Sequence, residues 1–395
     1  MNEGKYVFAQ IADFIPRYQF DKLVKKYHGD YRAHELTCYN QFLHLLFGQL
    51  TPCTSLRDIC MCLEAHQDCL YHLGFRNTVE QSTLSRANER RDYRIYEELG
   101  YYLIKMVRPY YRKTTIPDIE ADNALFALDS TTISISIKLA TWAYGKYSKG
   151  AVKMHTLLDL RGSIPTQIHI TDGCWHDSRM LDLLDLDVNA IYTADKAYVD
   201  FTSMYRIHRA GAYFVMRPKD NMQYEVVSQY SEGERGTNVY GDYIIRLRGF
   251  RSKQAYPDDL RLITVVDNDT QETIQFITNN FDLSALDIAN IYRHRWDIEL
   301  FFKWIKQNIV IKNLWGYSEN AVKTHLWVAI CAYLIVALIK ARYQSQYSIT
   351  EVATLLSVSA LERTDLEQLI TKPNDRLCKL LQNQNVKDQQ LSLIF

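Results

Sequence analysis

Tyr292, Arg295, Glu299 and Lys306 occur at spacings that acquire meaning once the segment is helical. At about 100° per residue, the four fall within an arc of about 60° on an α-helix. Ile291, Ile298, Phe302, Ile305 and Ile309 fall on an adjacent stripe. Such a helix buries one side and presents a phenol, an acid and two bases along a line. Arg295 and Glu299 alone would make an ordinary i,i+4 salt bridge, contributing about 0.3–0.5 kcal/mol. That reading leaves the register of Tyr292 and Lys306 to chance. The alternative uses all four, with Glu299 as a metal ligand and Arg295 and Lys306 holding phosphates beside it. Activating water or a hydroxyl against phosphate takes two divalent ions about 3.5–4 Å apart, and therefore more than one carboxylate. Asp129 ends the apolar run ALFALD and Asp195 ends AIYTAD. A carboxylate at either position would sit at the rim of a sheet. Asp159, Asp172 and Asp177 compete with them, each with an ordinary reading as a turn or capping residue.

Three carboxylates so far apart in the chain need a scaffold that brings them together. The periodicity of the sequence changes near residues 117–122, PDIEAD. Before it, Leu43, Leu46 and Leu50, then Leu56, Ile59 and Leu63, then Leu70 and Leu73 recur at helical intervals. Residues 1–115 therefore read as an all-helical N-terminal domain. Gly74 is placed to end a helix and Ser82 or Thr83 to start the next, whose early turns carry Arg86, Asn88, Arg90 and Arg91. Over residues 55–95 this outline fits a DNA-binding helix-turn-helix and a plain helical hairpin equally well.

After the change, ALFALDSTTISISI, KMHTLLDL, PTQIHIT, AIYTAD and AYFVMRP read as strands. The helical pieces SRMLDLLDL and TSMYRIHRA interleave with them, which indicates a mixed α/β layer. Residues 218–280 add the strand candidates DYIIRLRGF, LRLITVV and IQFITNN and read as a β-rich insertion. Helix returns at Ser284, with Asp287 as its capping partner. The expected division is 1–115, 120–340 and a helical tail, 341–395.

The chain has 46 Lys+Arg against 46 Asp+Glu, so bulk charge cannot hold a polyanion and any such affinity must come from local clusters. Lys138, Lys146, Lys149 and Lys153 form one run with no acid among them, and Arg246, Arg248, Arg251 and Lys253 form another. Tyr144, Tyr147, Phe250 and Tyr256 interleave with these runs. Such patches suit phosphate contacts, and a solvated loop is the plain alternative. A content of 47% hydrophobic and 12% aromatic residues excludes a disordered chain. The longest apolar run, Leu326 to Ile339, is shorter than the roughly 17–20 residues a membrane span needs and reads as a core helix. No membrane partner is expected. The N-terminus lacks a signal pattern and the cysteines are irregularly spaced, so the expected location is cytoplasmic with reduced thiols. Cys38, Cys53, Cys60, Cys62 and Cys69, with His66 and His72, read as structural rather than zinc-binding, because no CxxC pair is present. His155, His169 and His176 likewise read as structural, with water orientation as the alternative.

Asp129 in ALDSTT, Asp195 in TADKAYVD and the run Tyr292-x2-Arg295-x3-Glu299-x6-Lys306 resemble the DDE transposases of the insertion-sequence-4 family. Their signature, Y-x2-R-x3-E-x6-K, surrounds the catalytic Glu, and every spacing in it is met. The resemblance covers about residues 120–340, and residues 1–80 resemble a helical domain of unknown function that often precedes this core. It implies an α/β fold: an RNase H-like catalytic core with a β-rich insertion, behind a helical DNA-binding domain. It implies that Asp129, Asp195 and Glu299 are catalytic and hold two Mg²⁺ ions, with Mn²⁺ as a substitute. Asp129 would bridge both ions, Asp195 would bind one or both, and Glu299 would complete one site. Water, then a DNA 3′-hydroxyl, would attack phosphorus in line.

The implied partners are the terminal inverted repeats of an insertion sequence and the target DNA, gathered by a homodimer in a synaptic complex. Tyr292, Arg295 and Lys306 would contact phosphates near the cut end, with Lys146, Lys149, Lys153, Arg248 and Arg251 as further DNA contacts. Relatives can set a Trp from the insertion against a flipped base. Residues 200–290 contain no Trp, which leaves Phe276 or another aromatic, and Trp296 as a second candidate that equally suits a core role. The expectation is a cut-and-paste DNA transposase. Its rivals are a domesticated sequence-specific DNA-binding protein and an RNase H-like nuclease without strand transfer.

Overall fold

The computed structural model describes residues 4–136, 140–143, 145, 150–231, 238–266, 271–308 and 314–371. The chain forms two compact units, a helical one on residues 1–111 and from 304 onward, and an α/β one on residues 112–303.

The helical unit comprises α1 (Val7–Ala12), α2 (Arg17–Lys26), α3 (Cys38–Leu50), α4 (Leu56–Ala65), α5 (Leu70–Leu73), α6 (Gln81–Arg90) and α7 (Arg94–Tyr111). Thr37 and Ser55 cap α3 and α4, each accepting a backbone N–H from three residues on. Gly74, at φ 95°, ends α5 as expected. The helix-turn-helix outline does not hold in its tight form. Between α4 and α6 lie residues 66–80, which contain a 3-10 turn and α5 instead of a short connection. The N-cap of α6 is Glu80, without a side-chain cap, not Ser82 or Thr83. Asn88 is buried and accepts from Gln41, while Arg91 donates to Gln41 and to the Leu36 carbonyl. Both side chains are spent inside the unit, and Arg86 and Arg90 remain exposed.

After the α/β unit the chain returns to this helical unit in α13 (Glu319–Arg342), α14 (Ile349–Ser359) and α15 (Leu366–Ile370). A helix apolar on all sides can only be a core element or a membrane span. By length and composition α13 passes for a span, yet Ala321 to Ile339, Lys323 excepted, are buried in the protein. It packs on α7 and α3, and Gly100 of α7 lets the two backbones approach over Trp327. The expected 120–340 domain is therefore too long as a compact body, because α13 joins the N-terminal helices. Residues 372–395 of the expected tail lie outside the described residues.

The α/β unit is built on β1 (Leu125–Ile135), β2 (Gly150–Asp159), β3 (Ile164–Asp172), β4 (Ile191–Ala194), β5 (Tyr213–Met216), β6 (Tyr224–Gln229), β7 (Val239–Leu247), β8 (Leu260–Val266) and β9 (Thr273–Thr278). These form one nine-stranded sheet in the order β3-β2-β1-β4-β5-β9-β8-β7-β6. β1, β4 and β5 are parallel and β2 is antiparallel to β1. This is the RNase H-like order. The insertion is a continuation of the same sheet, since β9 pairs directly with β5.

Phe126, Leu128, Tyr192 and Phe214 point from one face into a core shared with α8 (Met180–Leu183) and α9 (Phe201–Arg209). A short α10 (Phe250–Ala255) follows β7. α11 (Ala285–His294) packs on β4, β5 and β7, and α12 (Asp297–Asn308) follows it.

Candidate active site

β1 and β4 run side by side, paired from Leu125 with Ile191 up to Leu128 with Ala194. Asp129 and Asp195 are each the next residue. The two aspartates stand at the same level of neighbouring parallel strands, just beyond their last pair: Asp195 follows the end of β4, and Asp129 lies within β1, which continues to Ile135 beside β2. Asp129 lies on the sheet face opposite Phe126 and Leu128, because side chains alternate along a strand. Its Oδ1 accepts the Ser130 N–H at 2.7 Å. Asp195 caps a 3-10 turn, Lys196–Tyr198, and accepts the Lys196 N–H at 2.7 Å.

Glu299 comes from the first turn of α12. The segment is not one continuous helix: α11 ends at His294 and α12 begins at Asp297. Between them the N–H groups of Arg295, Trp296, Ile298 and Glu299 bond three residues back, to Tyr292, Arg293, Arg295 and Trp296. This tighter winding turns more per residue than an α-helix, so the uniform arc inferred from the sequence applies only locally. Four contacts fix α11 over the segment that leads into β1. Asn290 donates to the Asp118 carbonyl at 2.7 Å, Arg293 pairs with Asp118 at 3.1 Å, His294 Nε2 lies 3.2 Å from the Pro117 carbonyl, and the Glu120 N–H reaches Asp287 at 3.3 Å. Ser284 caps α11 through the Asp287 N–H, as the sequence indicates.

Arg295 joins the two sets. Its guanidinium lies 3.4 Å from Asp129 Oδ2 and 3.1 Å from Glu299 Oε1, and 5.6 Å from the centre of the Tyr292 ring. Burial pushes the Asp129 carboxyl up to about 6. The Ser130 N–H and Arg295 oppose that push, while the charges of Glu299 and Asp195 add to it. All three carboxylates therefore share one electrostatic neighbourhood. Tyr292 rests on Phe276, with ring centres 4.8 Å apart. Burial raises its hydroxyl above the usual range; Arg295 and Arg217 pull it down, and Asp195 pushes it up.

Arg217 was not apparent from the sequence. It is exposed and is the first residue after β5, as Asp195 is the first after β4. The equal lengths of AIYTAD and AYFVMR are the only signal that could have marked it.

The other expected contacts divide. Lys306 is exposed on α12, two turns beyond Glu299. Lys146 and Lys149 lie outside the described residues. Lys153 is engaged within the fold instead of standing free: its ammonium is 3.1 Å from both oxygens of Asp177 and donates to the Trp175 carbonyl at 3.0 Å, with only 12% of the side chain exposed. Arg248 and Arg251 are exposed, and Phe250 between them is 86% exposed. The pairing register sets Ala194 level with Met216, Ile277, Leu262 and Tyr243. From there β7 runs away from the carboxylates, so Arg248 lies roughly 16 Å down the strand direction. The basic run of the insertion belongs to the opposite end of the sheet, and Arg246 within it is paired with Asp259 at 2.7 Å. Phe276, buried under Tyr292, has no face free for a base, whereas Trp296 is 58% exposed and is not a core residue.

Among the described residues, no three His, Cys, Asp or Glu side chains stand close enough to hold a metal ion as they are placed. The space between Asp129 and Glu299 is bridged by Arg295. The donor set nevertheless suits a hard divalent cation, which takes oxygen ligands and keeps several waters. The half-buried Asp129 carboxyl, pushed toward its neutral form by burial and by two neighbouring acids, is the kind of group a cation stabilises.

A mixed sheet whose parallel central strands carry carboxylates at the level where their pairing stops, with a third carboxylate on a following helix, defines the RNase H-like class of phosphoryl-transfer enzymes. Residues 120–335 match the transposase DDE domain, and residues 3–76 match a domain of unknown function. A putative transposase of Sinorhizobium fredii is 31% identical over 74% of this chain and 81% of its own length. A putative insertion-sequence transposase of Synechocystis is 28% identical over 66% of this chain and 72% of its own. Among solved structures, the piggyBac transposase synaptic complex with hairpin DNA aligns at a TM-score of 0.43 and 10% identity, over 91% of this chain and 78% of that one. The chain belongs to the DDE transposase family and is a DNA transposase, an enzyme that cleaves DNA and transfers strands. Enzymes of this family use divalent metal ions.

Proposed function

We propose that this transposase is of the insertion-sequence-4 type and moves its own element by cutting at the terminal inverted repeats and joining the freed ends to target DNA. The observation that carries this reading is the set formed by Asp129 and Asp195, at matching levels just past the last β1–β4 pair, and Glu299, linked to Asp129 through Arg295. Asp129, Asp195 and Glu299 would hold two Mg²⁺ ions, or Mn²⁺ in their place. Bound there, the metal would supply a nucleophile at neutral pH and charge stabilisation for the leaving oxygen.

The protein's own side chains do the rest. Arg295 neutralises the carboxylates in the free enzyme and is placed to turn to a phosphate once metal takes over that task, because its fork matches phosphate as well as carboxylate. Tyr292 and Arg217 flank it, and Lys306 continues the line along α12. Trp296, exposed at the α11–α12 junction, is the aromatic available to stack on a base near the cut. Lys146 and Lys149 remain proposed backbone contacts. Arg248 and Arg251 would meet DNA away from the scissile phosphate. A homodimer would hold the two ends together.

The test is Mg²⁺-dependent cleavage of a duplex carrying the element's ends. Asp129→Ala, Asp195→Ala and Glu299→Ala should each lose cleavage by orders of magnitude while retaining end binding. Full activity in Asp129→Ala or Glu299→Ala would sink the assignment. Lys306→Ala should weaken end binding, and should lower the slope of log affinity against log salt by about 1. An unchanged affinity at moderate salt would remove its phosphate role.

A further inference from the structure

Asp177 lies in the 3-10 turn Asp177–Arg179 after β3, and cleavage as described makes no use of it. It is the hub of a cluster on the sheet face opposite Asp129. Ser130 Oγ donates to its Oδ1 at 2.8 Å. Lys153 Nζ contacts both its oxygens at 3.1 Å and has its third contact at the Trp175 carbonyl, 3.0 Å away. His155, fully buried on the same face, meets the Trp175 ring edge-on at 5.1 Å and has its Nε2 3.1 Å from Thr171 Oγ1. Strand alternation accounts for the grouping: Ser130 is paired with His155, and Thr132 with Lys153.

Two physical points make this more than packing. A largely buried ion pair is a poor source of stability, because desolvation cancels most of its attraction, so what it supplies here is a fixed geometry more than folding energy. The pair also sits where β1 loses support. Pairing with β4 stops at Leu128, and β1 runs on with β2 alone on its other side. Asp129 is the first residue past that point, and the Ser130 N–H is what orients its Oδ1. Through Ser130 Oγ, Asp177 ties this stretch of β1, which keeps β2 as its neighbour on one side only, to the turn after β3. The Tyr198 phenol registers the proximity: burial raises it well above the usual range, and Asp129, Asp177 and Asp195 all add to the effect.

We propose that Asp177, with Ser130 and Lys153, is a positioning residue for Asp129, fixing β1 at the point where its pairing with β4 stops so that the carboxylate is presented to the cation. This rests on Asp129 being a metal ligand. The probe is Mn²⁺, titrated into the full-length protein by calorimetry and, separately, into the end-cleavage assay. Ser130→Ala and Asp177→Asn should remain folded and bind Mn²⁺ about 10-fold more weakly, the usual scale for a partner one step behind a ligand. The Mn²⁺ concentration for half-maximal cleavage should rise by the same factor, with the rate at saturating metal recovering to within a few-fold.

A lowered melting temperature with unchanged Mn²⁺ affinity in both Ser130→Ala and Asp177→Asn would make the cluster structural and overturn the proposal. If Asp177→Asn does not fold, Ser130→Ala decides, since it deletes one hydrogen bond and leaves the Asp177–Lys153 pair intact. Asp129→Ala separates the two levels. If it binds Mn²⁺ and cleaves normally, the three-carboxylate reading fails. If it loses both while Ser130→Ala and Asp177→Asn match wild type, only the positioning role fails.

Discussion

At the scale of the residue, the site sets function against stability. Asp129 is held at about 6 by burial, well above the ordinary carboxylate value of 3.8. A folded-state value raised above the unfolded one means that the protonated form is favoured on folding. The associated stability is present in full below the unfolded value and is lost as the pH rises through about 6. At pH 7.5 without metal, the ionised side chain therefore costs the fold about 1–3 kcal/mol. Asp129→Asn removes that charge and keeps the shape. It should raise the melting temperature in EDTA by a few degrees while abolishing cleavage. An equal or lower melting temperature would mean that Arg295 compensates the charge fully. The same competition explains why Lys153 misled. Its acid-free surroundings in the sequence suggested a free cation, and only the folded register brings Asp177 to it from 24 residues away.

At the scale of the element, most strands of the core were legible because their chemistry is local. ALFALD, AIYTAD and AYFVMR are apolar runs that end in a charged residue, and they became β1, β4 and β5, with Asp195 and Arg217 just past the ends of β4 and β5 and Asp129 inside β1, which runs on to Ile135. β6 was not legible: five of its six residues, including Val226 and Val227, are exposed at the sheet edge, so no alternation marks it. The break between α11 and α12 was also invisible, since Arg295 and Trp296 are acceptable helix residues and their tight turn is recorded only in the three-residue hydrogen bonds. Helix packing was half legible. The apolar run 326–339 announced a buried helix without naming its partner, which is α7. The contact depends on Gly100, where an added Cβ would meet the Trp327 ring at 2.9 and 3.0 Å. Trp327 is 1% exposed and has no room to withdraw. Gly100→Ala gains about 1 kcal/mol of helix propensity and should still destabilise by about 1–3 kcal/mol through overpacking. Urea denaturation followed by far-UV circular dichroism measures the balance, and a stabilised variant would show that α7 and α13 can part.

At the scale of the whole molecule, 46 positive side chains against 46 negative conceal an uneven interior. Some of the charge is paired locally, as in Lys153–Asp177, Arg246–Asp259 and Arg261–Asp242, and the zero total leaves no bulk attraction for DNA. Response to pH is set by buried groups instead. Burial pulls His44 and His155 down to about 4 and His325 down to about 3. In the unfolded chain each takes up a proton near pH 6.5. Between about 6.5 and 4 the unfolded state thus binds protons that the folded state refuses, and stability must fall as the pH falls. Above 6.5 all three are neutral in both states and contribute no slope. Asp129 acts in the opposite sense over part of this window, being one carboxyl that gains from protonation. Burial also lowers His169 and raises Glu97, and four lowered histidines against two raised carboxyls leave the net direction downward, by on the order of 1–3 kcal/mol per histidine between pH 6.5 and 5. Urea midpoints should be level from pH 8 to 7 and decline from 6.5 to 5. The site of the loss can be checked independently: His325→Gln, which cannot take up the proton, should flatten the decline even if it lowers the midpoint at pH 7.5. A midpoint that holds or rises on acidification in the wild-type protein would show that these imidazoles titrate in the folded state, and that the cores around α3, β2 and α13 admit water.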